Sequence, residues 1–461
     1  MNPTAQLLEP EVRELIEGGR YAELREALLG IDAVDVAEIL RELEPGKSAV
    51  AFRFLARDFA GEVFAYFPAE HQNDLIRALG TVESARLLEA MSPDDRARVV
   101  DELPTEVATR IVAELPPEER RVTQAILGYP ERSVGRLMTP DYVRVRADWT
   151  VAYALDHIRR YGRDAETINV VYVVDEQGKL VDDLRLRQVF LADPSAPIES
   201  LMNRSFVALQ ADQPQEDAVT MLKRYDRSAL PVVDSRGMLL GIVTHDDVAD
   251  VAEQLATEQV QRLGAVQALD EPYIESGHVA LFRKRGPWLS LLLVGQSITI
   301  LVLGSFQDQL ERAAVLTLFL PLVISCGGNS GSQAATLITR ALALDEIAPA
   351  DWWRVVRKEL VSGLLLGATL SLLGLAAVLF FTGVGYTRTP SPMMVSFTVA
   401  GAVLLIVVWA VTLGATLPLI LERCGLDPAT ASTPLVATLM DASGTLIYLA
   451  IAVLVLRGTL L

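Results

Sequence analysis

Cysteine is nearly absent: Cys326 and Cys424 are the two in 461 residues. Thiols so far apart make neither a disulfide framework nor a metal-ligand spacing. Histidine is almost as scarce, with His71, His157, His245 and His278 scattered singly. No nucleophile–base grouping or phosphate loop accompanies them, which argues against an enzyme. Basic residues are outnumbered, 41 Lys and Arg against 59 Asp and Glu, for a net charge of −18. That balance disfavours a nucleic-acid partner and fits the handling of cations. The opening MNPTAQLLEPEVRELIE is too acidic and too poor in apolar residues for a signal peptide.

Beyond about residue 285, charge itself largely disappears. Trp288–Phe306, Ala313–Thr339, Leu360–Thr387, Thr389–Leu421 and Pro428–Leu456 are apolar stretches. Each has the roughly 20 residues a helix needs to cross a bilayer. Lys and Arg in the connections set orientation. Arg283, Lys284, Arg285, Arg340, Arg354, Arg357, Lys358 and Arg423 lie on one side, and Arg312, Arg388 and Arg457 on the other. The expectation is a large cytoplasmic N-terminal region and an external C-terminus.

What fills the first 130 or so residues is a period of twelve. Leu43, Leu55, Phe67, Leu79, Met91, Leu103 and Leu115 recur at that spacing, and so do Phe52, Phe64, Ile76, Leu88, Val100 and Val112. Each unit accommodates one short helix and a corner, with Pro suited to the first turn. Such helices bury their apolar stripe only by stacking, which predicts an all-α superhelix. Asp94 and Asp95 start one helix, where acids suit the dipole.

Residues 132–252 contain two similar units: GRLMTPDYVRVRAD matches ESLMNRSFVALQAD, and VVDEQGKL matches VVDSRGML. Each reads as strand, helix, strand, Gly-containing turn, strand, helix, and the pattern resembles a pair of CBS domains. A nucleotide signature of that family survives in the second unit as Gly241, Ile242, Val243, Thr244 and Asp247. Thr244 and Asp247 are therefore candidate ligands of an adenosine nucleotide such as ATP, or simply caps of the next helix. Asp246, Asp247, Asp250, Glu253 and Glu258 then crowd one helix without lysines. A divalent cation would relieve their repulsion, as would solvation.

The fifth apolar stretch carries one carboxylate, Asp441. An acid at mid-helix costs about 2.5–3.5 kcal/mol on insertion scales, and the spans offer no basic partner. Two copies facing a water-filled axis could share a cation there, held by oxygen ligands as Mg²⁺ or Ca²⁺ requires. Pro434, Ala437, Thr438, Ala442, Ser443 and Gly444 around it would let helices approach or free backbone carbonyls. The second stretch adds GGNSGSQ at 327–333, for which small-residue packing is the competing reading.

Three motifs, PLVATLMD at 434–441, GGNSGSQAATLITRAL at 327–342 and GIVTHDDV…ATEQVQRLGAV at 241–266, make the chain resemble the MgtE family of bacterial magnesium channels or transporters. The resemblance implies a superhelical domain over 1–131, CBS domains over 132–195 and 196–252, a plug helix over 253–284 and five membrane helices over 285–461. It implies a homodimer in the lipid bilayer passing hydrated Mg²⁺ along its axis, past Asp441 and the backbone near Gly328 and Ala437. Asp427 in GLDPA matches a further family acid; by the residues alone it reads as a helix cap. Asp94, Glu216, Asp226, Asp247, Asp250 and Glu258 match acids that close the pore when cytoplasmic Mg²⁺ is plentiful. Arg98, Pro214, Leu255 and Gln259 replace carboxylates of that set, so weakened gating is expected. The alternatives are a permease for Mn²⁺ or Co²⁺ and a membrane-anchored nucleotide or metal sensor. Met440 beside Asp441 is the one soft ligand near the acid.

Overall fold

A computed structural model describes residues 3–28, 30–269, 273, 276–344, 346–430, 433–457 and 459–460. It divides into two compact units, Met1–Glu253 and Gln254–Leu461.

In the first unit, successive helices begin at residues 45, 57, 69, 81, 93, 105 and 117, so the apolar period is the spacing of the helices themselves. Pro45, Pro93 and Pro117 open their helices, where the missing N–H leaves no bond unmade. Phe52, Phe64, Ile76, Leu88 and Val100 are buried in one core. Each helix packs on the next but one, 45–52 on 69–79, 57–65 on 81–89 and 81–89 on 105–114. That alternation is how an eight- to eleven-residue helix finds cover on both sides.

Two three-stranded sheets follow. In the first, β1 (Tyr142–Arg146), β2 (Thr167–Val174) and β3 (Leu180–Arg185) are ordered β1-β2-β3; β4 (Leu209–Gln210), β5 (Ala229–Val233) and β6 (Leu239–Thr244) repeat that order. The outer pairs β1–β2 and β4–β5 are parallel, joined by helices Val151–Tyr161 and Gln215–Tyr225. The hairpins β2–β3 and β5–β6 are antiparallel, and turn at Gly178 and Gly237, with φ of 87° and 82°. Those left-handed positions are why the repeated turn keeps glycine. A shorter connection after the helix and a shorter β5 absorb the five residues that the second unit lacks. Thr139, ahead of β1, pairs with Ile242 of β6, locking the two units together.

Among its described residues the second unit, Gln254–Leu461, holds five helices long and apolar enough to cross a membrane: His278–Ser305, Val315–Ala343, Pro349–Gly383, Pro392–Arg423 and Thr433–Leu456. The chain thus combines an all-α region, an α/β CBS pair and a polytopic α-helical membrane part. The first and third helices start about ten residues before their apolar stretches, taking in Arg283–Arg285 and Arg354–Lys358. Hydropathy marks where lipid begins, whereas backbone hydrogen bonding continues past the interface. Pro434 stands in the first turn of the fifth helix, where proline breaks no helical hydrogen bond. The glycine-rich run does not break the second helix, which is continuous from Val315 to Ala343. A Cβ on Gly327 would lie 2.5 Å from Ile406 of the fourth helix, and one on Gly414 would lie 2.1 Å from the Gly331 carbonyl oxygen. Close packing is therefore what Gly327 and Gly331 provide, not freed carbonyls.

Candidate functional site: a polar groove at membrane depth

The second and fifth membrane helices pack together and leave a groove of about 760 Å³ on one side. Asp441, Ala437 and Thr433 line it from the fifth helix; Ser325, Gly328, Asn329, Ser332, Gln333 and Thr336 line it from the second. Ser325, Asn329, Gln333 and Thr336 lie at helical intervals, so one stripe of the second helix is polar and exposed. Nothing lies within 4 Å of a Cβ built on Gly328, so its bareness widens the groove, unlike that of Gly327 and Gly331. The Ser332 hydroxyl donates to the Thr433 carbonyl at 3.3 Å and ties the two walls.

Asp441 is half-buried, with Gln296 of the first helix as a side-chain hydrogen-bond partner. A neutral carboxamide orients a carboxylate without cancelling its charge. The sequence reading missed Gln296; a lone amide in the apolar run LLLVGQSITILVL was the available signal. Met440 is fully buried against Gly327 and turned from the groove. Cys326 packs with the apolar core. The groove walls thus offer oxygen and amide groups, the ligand chemistry of hard cations.

The other acids fall into separate places. Asp94, 7% exposed, lies against Asp247, and its Oδ1 is buried with no hydrogen-bond partner among the described residues. Burial, joined by repulsion from Asp95 on Asp94 and from Asp94 on Asp247, holds both carboxyls well above the usual carboxylate range. Glu166, at the rim, is raised to about 7 by partial burial and by Asp94, Asp246, Asp95 and Asp141. It escaped the sequence reading because no local pattern marks it. Among the described residues no three His, Cys, Asp or Glu side chains gather as a metal-ligand set. Asp250 is exposed, and the charge of Arg98, whose guanidinium also donates to Asp95 at 2.7 Å, acts on it. Glu216 stands 4.0 Å from Arg132. Glu258 and Asp427 both contact Arg262. Asp427 Oδ1 also accepts from the Ala429 N–H at 2.8 Å, as a cap does.

Thr244 and Asp247 face each other. The Thr244 hydroxyl donates to Asp247 Oδ2 at 2.6 Å, and Asp247 turns to Asp94. An open pocket of about 550 Å³ lies between the two CBS units, lined by Asn169, Val170, Arg185, Arg187, Asp226 and Arg227 among others. Asp226, in the left-handed conformation at the end of Gln215–Tyr225, belongs to this pocket.

Residues 320–451 match the family described as MgtE, a divalent cation transporter; 31–132 match the MgtE intracellular N domain; 134–193 and 198–253 match the CBS domain. The Thermus thermophilus magnesium transporter MgtE is 44% identical over 74% of this chain and 73% of its own length. The chain belongs to the MgtE family. The Bacillus subtilis MgtE, 30% identical, covers 95% of both chains. Among solved structures, the cytosolic domain of the Mg²⁺ channel MgtE in complex with ATP is 36% identical, with a TM-score of 0.51, over 53% of this chain and all of its own. The soluble part of a magnesium transporter is 25% identical with a TM-score of 0.52, over 55% and 99%. MgtE membership places the chain among transport proteins, and its five spanning helices belong to a multi-pass membrane protein.

Proposed function

We propose that this MgtE protein is a homodimeric, channel-type Mg²⁺ transporter, N-terminus in the cytoplasm and C-terminus outside, whose pore forms where two copies of the groove face each other. The carrying observation is Asp441 opening into the polar groove of the second and fifth helices. An exposed stripe of Ser, Asn, Gln and Thr is costly against lipid, and a second copy would enclose it around water. Hydrated Mg²⁺ suits such a passage, because it keeps its waters and meets the walls through them. Among the described residues the groove lining carries neither sulfur nor imidazole, which favours a hard cation such as Mg²⁺ over Co²⁺. Proteoliposomes containing the intact protein are expected to take up Mg²⁺, with Asp441→Ala lowering uptake at least about tenfold, the equivalent of ~1.4 kcal/mol. Equal uptake by both proteins, or stronger uptake of Mn²⁺, would sink this reading.

The cytoplasmic region is the regulator in this proposal. A divalent cation at Asp94 and Asp247 would supply the charge their buried oxygens lack. Arg98 and Arg132 already compensate neighbouring acids, so cytoplasmic Mg²⁺ closes the pore more weakly than a fully acidic set would. The nucleotide reading moves to the Arg185–Arg187–Asp226–Arg227 pocket, where guanidinium groups suit phosphate and a carboxylate suits ribose hydroxyls. The ATP complex of the similar cytosolic domain supports nucleotide binding by the cytoplasmic region. Calorimetry is expected to show ATP binding that Arg187→Ala weakens at least about tenfold, while Thr244→Ala leaves it in place; no heat at millimolar ATP removes the role.

A further inference from the structure

Arg262, near the end of helix His245–Leu263, divides its guanidinium between two carboxylates far apart in sequence. Nη1 contacts Asp427 Oδ2 at 2.5 Å and Nη2 contacts Glu258 Oε2 at 3.2 Å. Glu258 is 8% exposed, so the pair is screened by little water on that side. The other Asp427 oxygen is fixed by the Ala429 N–H. Asp427 immediately precedes the turn Pro428–Thr430 that leads towards helix Thr433–Leu456 and the pore acid. The same end of the Arg262 helix is anchored elsewhere: Gln261 Oε1 accepts from the Leu269 N–H at 2.8 Å, and the Gln267 N–H donates to the Lys284 carbonyl at 3.3 Å.

We infer that the Arg262 guanidinium is a resident latch, occupying between Glu258 and Asp427 the place a divalent ion would take and restraining the entry to the fifth helix without metal. The inference rests on the transport reading above. Two carboxylates that share one cation attract; the same two without it repel. A divalent ion would pull them together only when its concentration is high, whereas a guanidinium stays charged at every physiological pH. One side chain thus converts a metal-dependent contact into a standing one, and the equilibrium between the restrained and free arrangements shifts by its differential contacts in the two.

The test compares the intact protein with Arg262→Gln and Arg262→Lys. Hydrogen exchange is read over 258–263 and 424–430, in EDTA and in millimolar Mg²⁺, beside Mg²⁺ uptake by proteoliposomes with low internal Mg²⁺. The intact protein is expected to be equally protected in both solutions. Arg262→Gln is expected to exchange at least about fivefold faster in EDTA, the lower end of ordinary coupling, to regain protection in Mg²⁺, and to carry correspondingly more Mg²⁺. Arg262→Lys, which keeps the charge, is expected to follow the intact protein. Unchanged exchange in Arg262→Gln overturns the latch. So does faster exchange that Mg²⁺ does not restore, which marks lost packing, or a Lys variant that behaves like Gln. An intact protein that takes up no Mg²⁺ would instead defeat the transport reading, while hydrogen exchange still decides the latch.

Discussion

Two carboxyls pressed together in a nearly dry place impose a pH dependence of known sign. Burial, with repulsion from Asp95 on Asp94 and from Asp94 on Asp247, raises both pKa values, so the folded chain binds more protons than the unfolded one above the ordinary carboxylate range. Stability therefore falls as pH rises from about 5 towards 8. With divalent ions removed, the unfolding temperature of the intact protein is expected to drop over that interval. Asp94→Asn, which removes one titrating group and the repulsion, should flatten the curve; an unaltered slope would refute the account. Asp441 was legible in sequence because an unpaired acid in hydrocarbon demands compensation. Asp247 was legible as a nucleotide or gating candidate, but its approach to Asp94 was not, since that partner lies 153 positions away.

Helices in the membrane unit are held by glycines doing opposite work within two turns of one helix. Gly331 meets Gly414 backbone to backbone, while Gly328 faces open space. Gly414→Val forces a carbon into a carbonyl oxygen and is expected to abolish recovery of folded, monodisperse protein in detergent. Gly328→Ala should purify and unfold like the parent yet lower Mg²⁺ uptake, because the methyl projects into the groove. Comparable losses of folding in both would show that the groove is packing surface. Sequence placed the spans and the CBS elements well, because lipid and half-buried strands impose periods of their own. It gave no means of assigning each glycine, since the 3.6-residue period fixes a face without naming what lies opposite.

At the scale of the whole molecule, the polar stripe of the second helix makes a prediction about partners. With Cys326 and Cys424 replaced, a single Thr336→Cys substitution in native membranes is expected to give a disulfide-linked dimer under mild oxidation. Exclusively monomeric chain would count against a pore between copies.

The sequence by itself determined the three-part organisation, the twelve-residue repeat of the first helices, the paired CBS units and the isolated membrane acid. Those features come from local periodicity, turn chemistry and the cost of charge in lipid, all of which act along the chain. Tertiary structure decided which acids meet: Asp94 with Asp247, Glu258 and Asp427 with Arg262, and Asp226 with the arginines of the CBS pocket. Electrostatic roles depend on distance and burial, and neither is set by position in the sequence.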